Sequence, residues 1–350
     1  MRTRSWKKEV RMRNDGLRVG VVGATGMVGQ EFLKILEQRR FKLSELRPFA
    51  SERSEGQSVA FQEKTWTLQS LKPNCFEGLD LVFFSSGDEI SRQWASEAVS
   101  SKAYAIDNSA AFRLDAEVPL VVPEVNGATL SSLTEPCIIA NPNCSTIQLV
   151  VALNPLRHDF GLESVQVASY QAVSGAGVAG QSELLNQSQA WLKGETQPSP
   201  GPTFSHPIAF NCIPHIGSFN QDGYSSEEMK IIRETKKILD LPHLSVSAFT
   251  VRVPALNGHS EAVWVTLQKP ADRNQIVESL RAQEGLEILD DLNQNLFPTA
   301  VQASGTDPVY VGRIHRDLDR PERWLMWVVA DNLRKGAALN GVQIAERLFT

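Results

Sequence analysis

The stretch Leu17-Arg-Val-Gly-Val-Val-Gly23-Ala-Thr-Gly-Met-Val-Gly29 decides the fold. Its apolar part, Leu17–Gly23, predicts a buried strand, and the periodic apolar residues of Val28–Gln38 predict a helix. A glycine turn between strand and helix places backbone N–H groups at a helix N-terminus, where a pyrophosphate can bind. The spacing is GxxGxxG rather than GxGxxG, and such glycines also serve tight helix–strand packing, so the turn alone leaves both roles open.

Strands and helices alternate in the first part of the chain. Further strands are predicted at Glu45–Ala50, Leu79–Ser85, Ala103–Asp107 and Cys137–Ala140, with helical segments between them. This alternation predicts an α/β fold, a Rossmann-like doubly wound parallel sheet.

After Thr146 strands outnumber helices. Strands are predicted at Ser164–Ala172, Ser245–Pro254, His259–Gln268, Val309–His315 and Trp324–Val329, and helices at Gly180–Leu192, Ser226–Leu239, Asn274–Gln283 and Gly336–Leu348. The pattern predicts a second α+β domain with a mainly antiparallel or mixed sheet.

The composition is that of an ordinary globular protein. The chain has 350 residues, 42% hydrophobic and 21% charged, which as a soft prior indicates two domains. A net charge of −5 argues against nucleic acid or an anionic membrane as partner, and no apolar run approaches the length of about 20 residues that a membrane span needs.

The four cysteines form no CxxC pair, so no metal site is predicted, and their sparseness favours the reducing cytoplasm. Residues 1–16 are rich in arginine and lysine but lack an apolar core, so we expect a disordered extension rather than a secretory signal.

Cys144 lies in Asn141-Pro-Asn-Cys-Ser-Thr-Ile147, directly before an apolar run. This pattern predicts a helix with the thiol in its first turn, where N–H groups and the helix dipole favour the nucleophilic thiolate. Most cysteines of a reduced protein are instead inert and buried, so position alone leaves both interpretations open.

The segment Ser51-Glu-Arg-Ser54 follows the second strand, where dinucleotide sites distinguish NAD from NADP. A guanidinium suits a 2′-phosphate, which favours NADP, whereas Glu52 would repel that phosphate if it pointed inward. A solvated polar turn is the alternative.

With these features the chain resembles the bacterial aspartate-semialdehyde dehydrogenases from Leu17 to the last helix. The stretches that carry the resemblance are Val21–Gly29, Val121-Val-Pro-Glu-Val-Asn126, Asn141–Ile147, Ser169-Tyr-Gln-Ala-Val-Ser-Gly-Ala-Gly177, Arg252-Val-Pro, Gly258-His-Ser-Glu261 and Asp331-Asn-Leu-Arg-Lys-Gly-Ala337. Each is modest evidence, but together and in order they are specific.

The resemblance implies reductive dephosphorylation of L-aspartyl 4-phosphate by NADPH to L-aspartate 4-semialdehyde, a step of lysine, diaminopimelate, threonine, methionine and isoleucine biosynthesis. Cys144 would form a thioester, which splits one hard step into two. His259 would be the acid/base, taking the thiol proton and pairing with the thiolate. Gln171 would orient the substrate or polarise its carbonyl group. Both could instead be structural.

The resemblance also indicates which residues would bind the charged groups of the substrate. Arg113 and Lys230 would bind phosphate, Arg252 the α-carboxylate and Glu227 the ammonium. From the sequence alone, Glu227 and Lys230, three residues apart on one helix face, are more typical of a solvated ion pair. Asn143 would help the oxyanion to form or would cap the helix.

For the cofactor, the resemblance points to the pyrophosphate at Thr25, Gly26, Met27 and Val28, and to the 2′-phosphate at Arg53 and Ser54. It places Ser174 and Gly175 near the nicotinamide ribose and Asn332 at the carboxamide. It implies a homodimer and a split cofactor domain, 17–141 with 331–350, around a catalytic domain at 142–330.

Two alternatives remain besides the more distant glyceraldehyde phosphate dehydrogenases. The first is an N-acetyl-γ-glutamyl-phosphate reductase, whose substrate lacks the ammonium that Glu227 would meet. The second is a catalytically silent paralogue that serves as a binding subunit, although Cys144, Gln171 and His259 are all present.

Overall fold

The computed structural model describes residues 16–195 and 199–349. The expected extension at residues 1–16 lies outside these ranges, apart from Gly16. Among the described helices none is long and apolar enough to cross a membrane.

The elements of the first part of the chain begin with the predicted strand, turn and helix. They are β1 (Leu17–Val22), α1 (Met27–Gln38), β2 (Leu43–Phe49), β3 (Ser58–Phe61), β4 (Lys64–Thr67), β5 (Leu81–Phe84), α2 (Asp88–Ser100), β6 (Tyr104–Asp107), α3 (Pro123–Asn126) and β7 (Ile138–Ala140).

A long helix opens the second part. The elements are α4 (Cys144–Phe160), β8 (Leu162–Gln171), α5 (Gly177–Leu192), α6 (Ser226–Ile238), β9 (Ser245–Arg252), β10 (His259–Leu267), α7 (Arg273–Arg281), β11 (Leu286–Ile288), α8 (Ala300–Ala303), β12 (Val309–Arg316), β13 (Arg323–Ala330) and α9 (Leu339–Phe349).

The chain divides into two compact units. The first comprises the residues up to Asn143 together with those from Ala337 onward, and the second is Cys144–Gly336. The sequence-based boundaries, at 141/142 and 330/331, lie two and six residues earlier than these.

The first unit contains a five-stranded sheet of order β2-β1-β5-β6-β7, parallel throughout. This confirms the predicted doubly wound parallel sheet. The apolar face of α1 and that of α9 pack into the same hydrophobic core. Because the strands are parallel, their carboxyl ends, and the loops that follow them, lie at one edge of the sheet.

The hairpin β3–β4 was not predicted from the sequence. Its two turn residues, Gln62 and Glu63, have φ values of 50° and 59°. Two-residue hairpin turns normally carry Asn-Gly or Asp-Gly at such positions, so the usual sequence signal is missing here.

The second unit contains a six-stranded mixed sheet of order β11-β12-β13-β10-β8-β9. The pairs β8/β9 and β11/β12 are parallel and the others antiparallel, which confirms the predicted mixed sheet. Helix α4 packs against α6 and against α7, and all three helices pack against strands of the sheet.

The last predicted helix, Gly336–Leu348, is two elements. A π-helical turn at Arg334–Ala338 precedes α9. A π turn widens the backbone locally and is frequent at functional sites.

Candidate active site

Cys144 is the first residue of α4, as the sequence predicted. Its thiol is reduced and partly buried. The N–H groups of the first helical turn lack carbonyl partners one turn earlier, so this terminus favours negative charge on the sulfur. The π turn contacts Cys144, since a Cβ built on Gly336 would lie 2.9 Å from the Cβ of Cys144. Only glycine fits there without displacing the cysteine.

His259 is the first residue of β10 and is fully buried. Its Nδ1 accepts a hydrogen bond from the Ala172 backbone N–H at 3.1 Å. Its Nε2 has no hydrogen-bond partner among the described residues. Burial, and next the positive charge of Arg252, lower the pKa of His259 to about 3. The resting imidazole is therefore neutral.

Gln171 ends β8 and faces the same centre. Its Nε2 lies 3.2 Å from Oε1 of Glu227 and 3.3 Å from Oγ of Ser169. Oε2 of Glu227 accepts from Lys230 Nζ at 3.2 Å. Glu227 is buried and Lys230 keeps 35% of its side chain exposed. The two form the predicted i,i+3 pair, but its carboxylate end is not solvated.

The start of α6 is fixed by the predicted capping box between Ser225 and Glu228. The second carboxylate oxygen of Glu228 accepts from the Thr250 backbone N–H at 3.0 Å, which ties α6 to β9. Glu227 is thereby left to face Gln171 rather than to cap the helix.

Arg252 ends β9 and is buried. Its Nη1 donates to the Ala172 carbonyl oxygen at 2.7 Å. Burial lowers the pKa of Arg252, and the charges of Glu227 and Cys144 oppose this. Arginine nevertheless stays protonated in proteins, so this unit holds a fixed buried cation.

Asn332 and Ser174 are hydrogen-bonded to each other, with Nδ2 of Asn332 2.9 Å from the serine Oγ. Oδ1 of Asn332 accepts from the Gly258 N–H at 2.9 Å, next to His259. The asparagine thus ties the loop that precedes His259 to the Val173–Ala176 turn, which includes Gly175.

Sequence reasoning missed the role of Asp331. Its carboxylate accepts four hydrogen bonds, from Asn257 Nδ2, Gly305 N, Leu333 N and Arg334 N, at 2.7–3.0 Å. Asp331 therefore connects three loops: the one that follows β13, in which it lies itself, the one before His259 that contains Asn257, and the one that contains Gly305. The only sequence signal was its place in the motif Asp331–Ala337.

In the first unit, the glycine turn forms as predicted. Gly23 has φ +79°, and a Cβ there would lie 2.9 Å from the Ser85 carbonyl oxygen. Thr25 and Gly26 are exposed, and Met27 and Val28 are the first residues of α1. An exposed helix N-terminus at the carboxyl edge of the sheet fits a pyrophosphate.

Arg53 and Ser54 lie in a short 3₁₀ turn, Glu52–Ser54, just after β2. Arg53 is exposed, and so is Glu52. Since β2 is parallel to β1, this turn and the glycine turn share one edge of the sheet.

Arg113 is buried at the same edge. Its Nε donates to the Asn141 carbonyl and its Nη2 to the Asn108 carbonyl, both at 2.9 Å. Asn143 is buried and precedes Cys144 in the chain. Among the described residues no cluster of His, Cys, Asp or Glu could hold a metal ion.

A parallel nucleotide-binding sheet together with a partly buried thiol and a buried imidazole and arginine in a second unit is typical of thiol-dependent dehydrogenases. Comparison with known proteins specifies the class further. The semialdehyde dehydrogenase NAD binding domain family matches residues 18–133, and the semialdehyde dehydrogenase dimerisation domain family matches residues 153–335.

Aspartate-semialdehyde dehydrogenase of Aquifex aeolicus is 47% identical over 334 residues, which cover 95% of this chain and 98% of that protein. The enzyme of Bacillus subtilis is 48% identical over 339 residues, covering 95% and 97%. The crystal structure of aspartate semialdehyde dehydrogenase II from Vibrio cholerae superimposes with a TM-score of 0.91 at 45% identity, covering 95% and 98%. The chain belongs to the aspartate-semialdehyde dehydrogenase family, which confirms the resemblance.

Proposed function

We propose that this chain catalyses the NADPH-dependent reductive dephosphorylation of L-aspartyl 4-phosphate to L-aspartate 4-semialdehyde and phosphate. The observation that carries the proposal is that the second unit contains the partly buried Cys144 together with four buried polar residues, Gln171, Glu227, Arg252 and His259. The Vibrio cholerae relative was also crystallised in complex with ASA. These features favour aspartate semialdehyde chemistry over the N-acetyl-γ-glutamyl-phosphate reductase alternative.

In the first chemical step the Cys144 sulfur attacks the acyl phosphate carbon. The bond from this carbon to the phosphate oxygen breaks, phosphate leaves with a proton taken from solvent, and a thioester remains on Cys144. Arg113 and Lys230 bind the phosphate. Asn143 donates to the oxyanion.

Two buried charges select the amino-acid end of the substrate. The Arg252 guanidinium pairs with the α-carboxylate, and the Glu227 carboxylate pairs with the ammonium. Gln171, held between Glu227 and Ser169, orients the carbonyl group that reacts.

The hydrogen bond from Ala172 supports a different role for His259 from the acid/base role that the resemblance implies. A backbone N–H can only donate, so Nδ1 is the acceptor and the neutral ring carries its proton on Nε2. That nitrogen cannot take a proton from the thiol, and a pKa of about 3 disfavours an imidazolium–thiolate pair. His259 instead donates a hydrogen bond from Nε2 to the oxygen that gains charge in each step.

NADP fits the first unit through the exposed α1 N-terminus and Arg53. Ser174, Gly175 and Asn332 serve the nicotinamide end. When bound, the reduced cofactor supplies the hydride that converts the thioester to a hemithioacetal. The oxyanion of the hemithioacetal then expels the Cys144 thiolate and releases the aldehyde. The Candida albicans relative, 26% identical with a TM-score of 0.69, was crystallised with NADP.

A homodimer is proposed through the second unit. The strands there expose aromatic side chains, including Tyr170 at 39% and Phe249 at 57%. Beside them lies a depression of about 450 Å³ lined partly by Trp264, Pro298 and Trp327. Apolar surface of this kind favours a partner. We expect a cytoplasmic enzyme.

The phosphate-dependent oxidation of L-aspartate 4-semialdehyde, followed by absorbance of the reduced cofactor, tests the activity. NADP-linked turnover that requires phosphate and stops on thiol alkylation would support it. Turnover of N-acetylglutamate semialdehyde instead would favour the sister reductase, and silence with both would favour the non-catalytic paralogue. Sedimentation of Phe249→Glu tests the dimer.

A further inference from the structure

Glu261 is a buried carboxyl group with no role in the reaction described above. It lies in β10, two residues beyond His259, and is 0% exposed. Both of its carboxylate oxygens lack a hydrogen-bond partner among the described residues. A buried unpartnered carboxylate is costly, so its retention calls for an explanation.

Glu261 lies on the same face of β10 as His259, two residues further along the strand. Residues two apart on a strand point to the same face, about 6.8 Å apart. Gln148 follows Cys144 by four residues on α4, so the two lie on the same helix face, about 6 Å apart. Helix α4 packs against β10, and Gln148 of α4 lies near Glu261 of β10. Because the two spacings are similar, we infer that Cys144 and His259 form a second pair, or rung, between the same two elements.

Gln148 and Glu261 complement each other chemically. Gln148 is 1% exposed, and its Nε2, like the two carboxylate oxygens, has no hydrogen-bond partner among the described residues. Burial raises the pKa of Glu261 well above its usual value, the nearby amide of Gln148 opposes this, and the Glu227 charge adds to it. The raised pKa favours the protonated form of Glu261, and a protonated carboxyl group can both donate a hydrogen bond to an amide and accept one from it.

The strand register places the rung of Gln148 and Glu261 directly beneath the catalytic residues. Glu261 pairs with Ser169 of β8, whose Oγ is contacted by the Gln171 amide. Two residues further along, Val263 pairs with Val167, and the same face is apolar. Glu261 therefore occupies the last polar layer before the core.

We propose that Glu261, paired with Gln148, is a positioning residue that fixes the register of α4 on β10 and thereby places the Cys144 sulfur against the His259 imidazole. The inference rests on the proposed function, since it concerns the same nucleophile. In this proposal Glu261 acts on the reaction through the placement of α4.

Three variants test the proposal: Glu261→Gln, Glu261→Leu and Gln148→Leu. An amide still pairs with Gln148, so we expect Glu261→Gln to keep kcat within about threefold of wild type. Glu261→Leu and Gln148→Leu should each lower kcat about 10- to 100-fold with little change in KM. The double Leu variant should be no worse than the poorer single one, because both remove one contact.

A second measurement separates this proposal from the proposed function. The rate at which iodoacetamide alkylates Cys144, followed by peptide mass mapping, needs no substrate and should fall in both Leu variants. Inactivity of the wild type with aspartate semialdehyde would overturn the proposed function and leave the alkylation test standing. Wild-type kcat and alkylation rates in both Leu variants, or additive effects in the double variant, would overturn the positioning role.

Val263→Ala is the matched control. It removes buried volume from the same face of the same strand and should lower the melting temperature while leaving kcat unchanged. Leucine in place of a buried acid can itself be stabilising, so lost activity at an equal or higher melting temperature identifies positioning. If Glu261→Leu does not fold, Gln148→Leu provides the same measurements of kcat and alkylation rate. A kcat loss in Glu261→Gln that is as large as the loss in Gln148→Leu would contradict the proposal.

Discussion

The Ala172 backbone N–H donates a hydrogen bond to Nδ1 of His259 at 3.1 Å. The carbonyl of the same residue accepts from Nη1 of Arg252 at 2.7 Å. One residue therefore fixes both the imidazole tautomer and the guanidinium position. The geometry makes Nε2 a hydrogen-bond donor.

We predict that His259→Gln retains more activity than His259→Ala. The glutamine amide can place an N–H near the position of Nε2, so kcat should fall about 10- to 100-fold, against about 1,000-fold for alanine. The measurement is steady-state kinetics at saturating substrate. Equal losses in the two variants would restore a proton-transfer role to the imidazole.

We predict a pH-dependent stability contribution from His259. Its pKa is lowered from 6.5 to about 3 on folding, so the unfolded chain takes up a proton that the native state does not. Stability is therefore lost as the pH falls from about 6.5 toward 3, by up to about 1.4 kcal/mol per pH unit. Urea unfolding at fixed protein concentration, compared between wild type and His259→Gln, should show the difference shrinking below pH 6.5. A constant difference would show that the imidazole titrates normally.

We predict that Cys144→Ala abolishes turnover, with kcat at least about 10⁴-fold lower, because no thioester can form. NADPH binding, measured by fluorescence titration, should survive. Cys212→Ala is the control, because that thiol is exposed, and it should remain active. An active Cys144→Ala variant would refute covalent catalysis.

We predict that Arg53→Ala raises KM for NADPH about 10- to 100-fold and changes KM for NADH little. The guanidinium matches a 2′-phosphate that NADH lacks. Glu52→Gln should act in the opposite direction and lower KM for NADPH if its charge faces the phosphate. Equal effects of Arg53→Ala on both cofactors would place the 2′-phosphate elsewhere.

We predict that Gly336→Ala lowers kcat about 10- to 100-fold. The new Cβ would lie 2.9 Å from the Cβ of Cys144, closer than carbon atoms pack, so α4 or the π turn must shift. Thermal unfolding and NADPH affinity serve as controls and should change less than turnover. Wild-type kcat would show that the nucleophile tolerates displacement.

The sequence by itself determined the parallel sheet and the position of Cys144 at the start of a helix. The alternation of apolar strands and amphipathic helices, and the glycine turn at Gly23–Gly29, encode local structure through backbone sterics and side-chain periodicity. Cys144 at the start of a helix and the Ser225–Glu228 capping box follow from residues close in the chain.

Only the tertiary structure decided what the buried polar groups do. The pairing of β8, β9 and β10 brings Gln171, Arg252 and His259 together across many intervening residues, and no local pattern states this. Glu227 and Lys230 would suit a surface helix equally well until packing buries the carboxylate. The tautomer of His259 and the neutral state of Glu261 depend on burial and on neighbours from other strands, because desolvation and hydrogen bonding are set by three-dimensional surroundings rather than by sequence spacing.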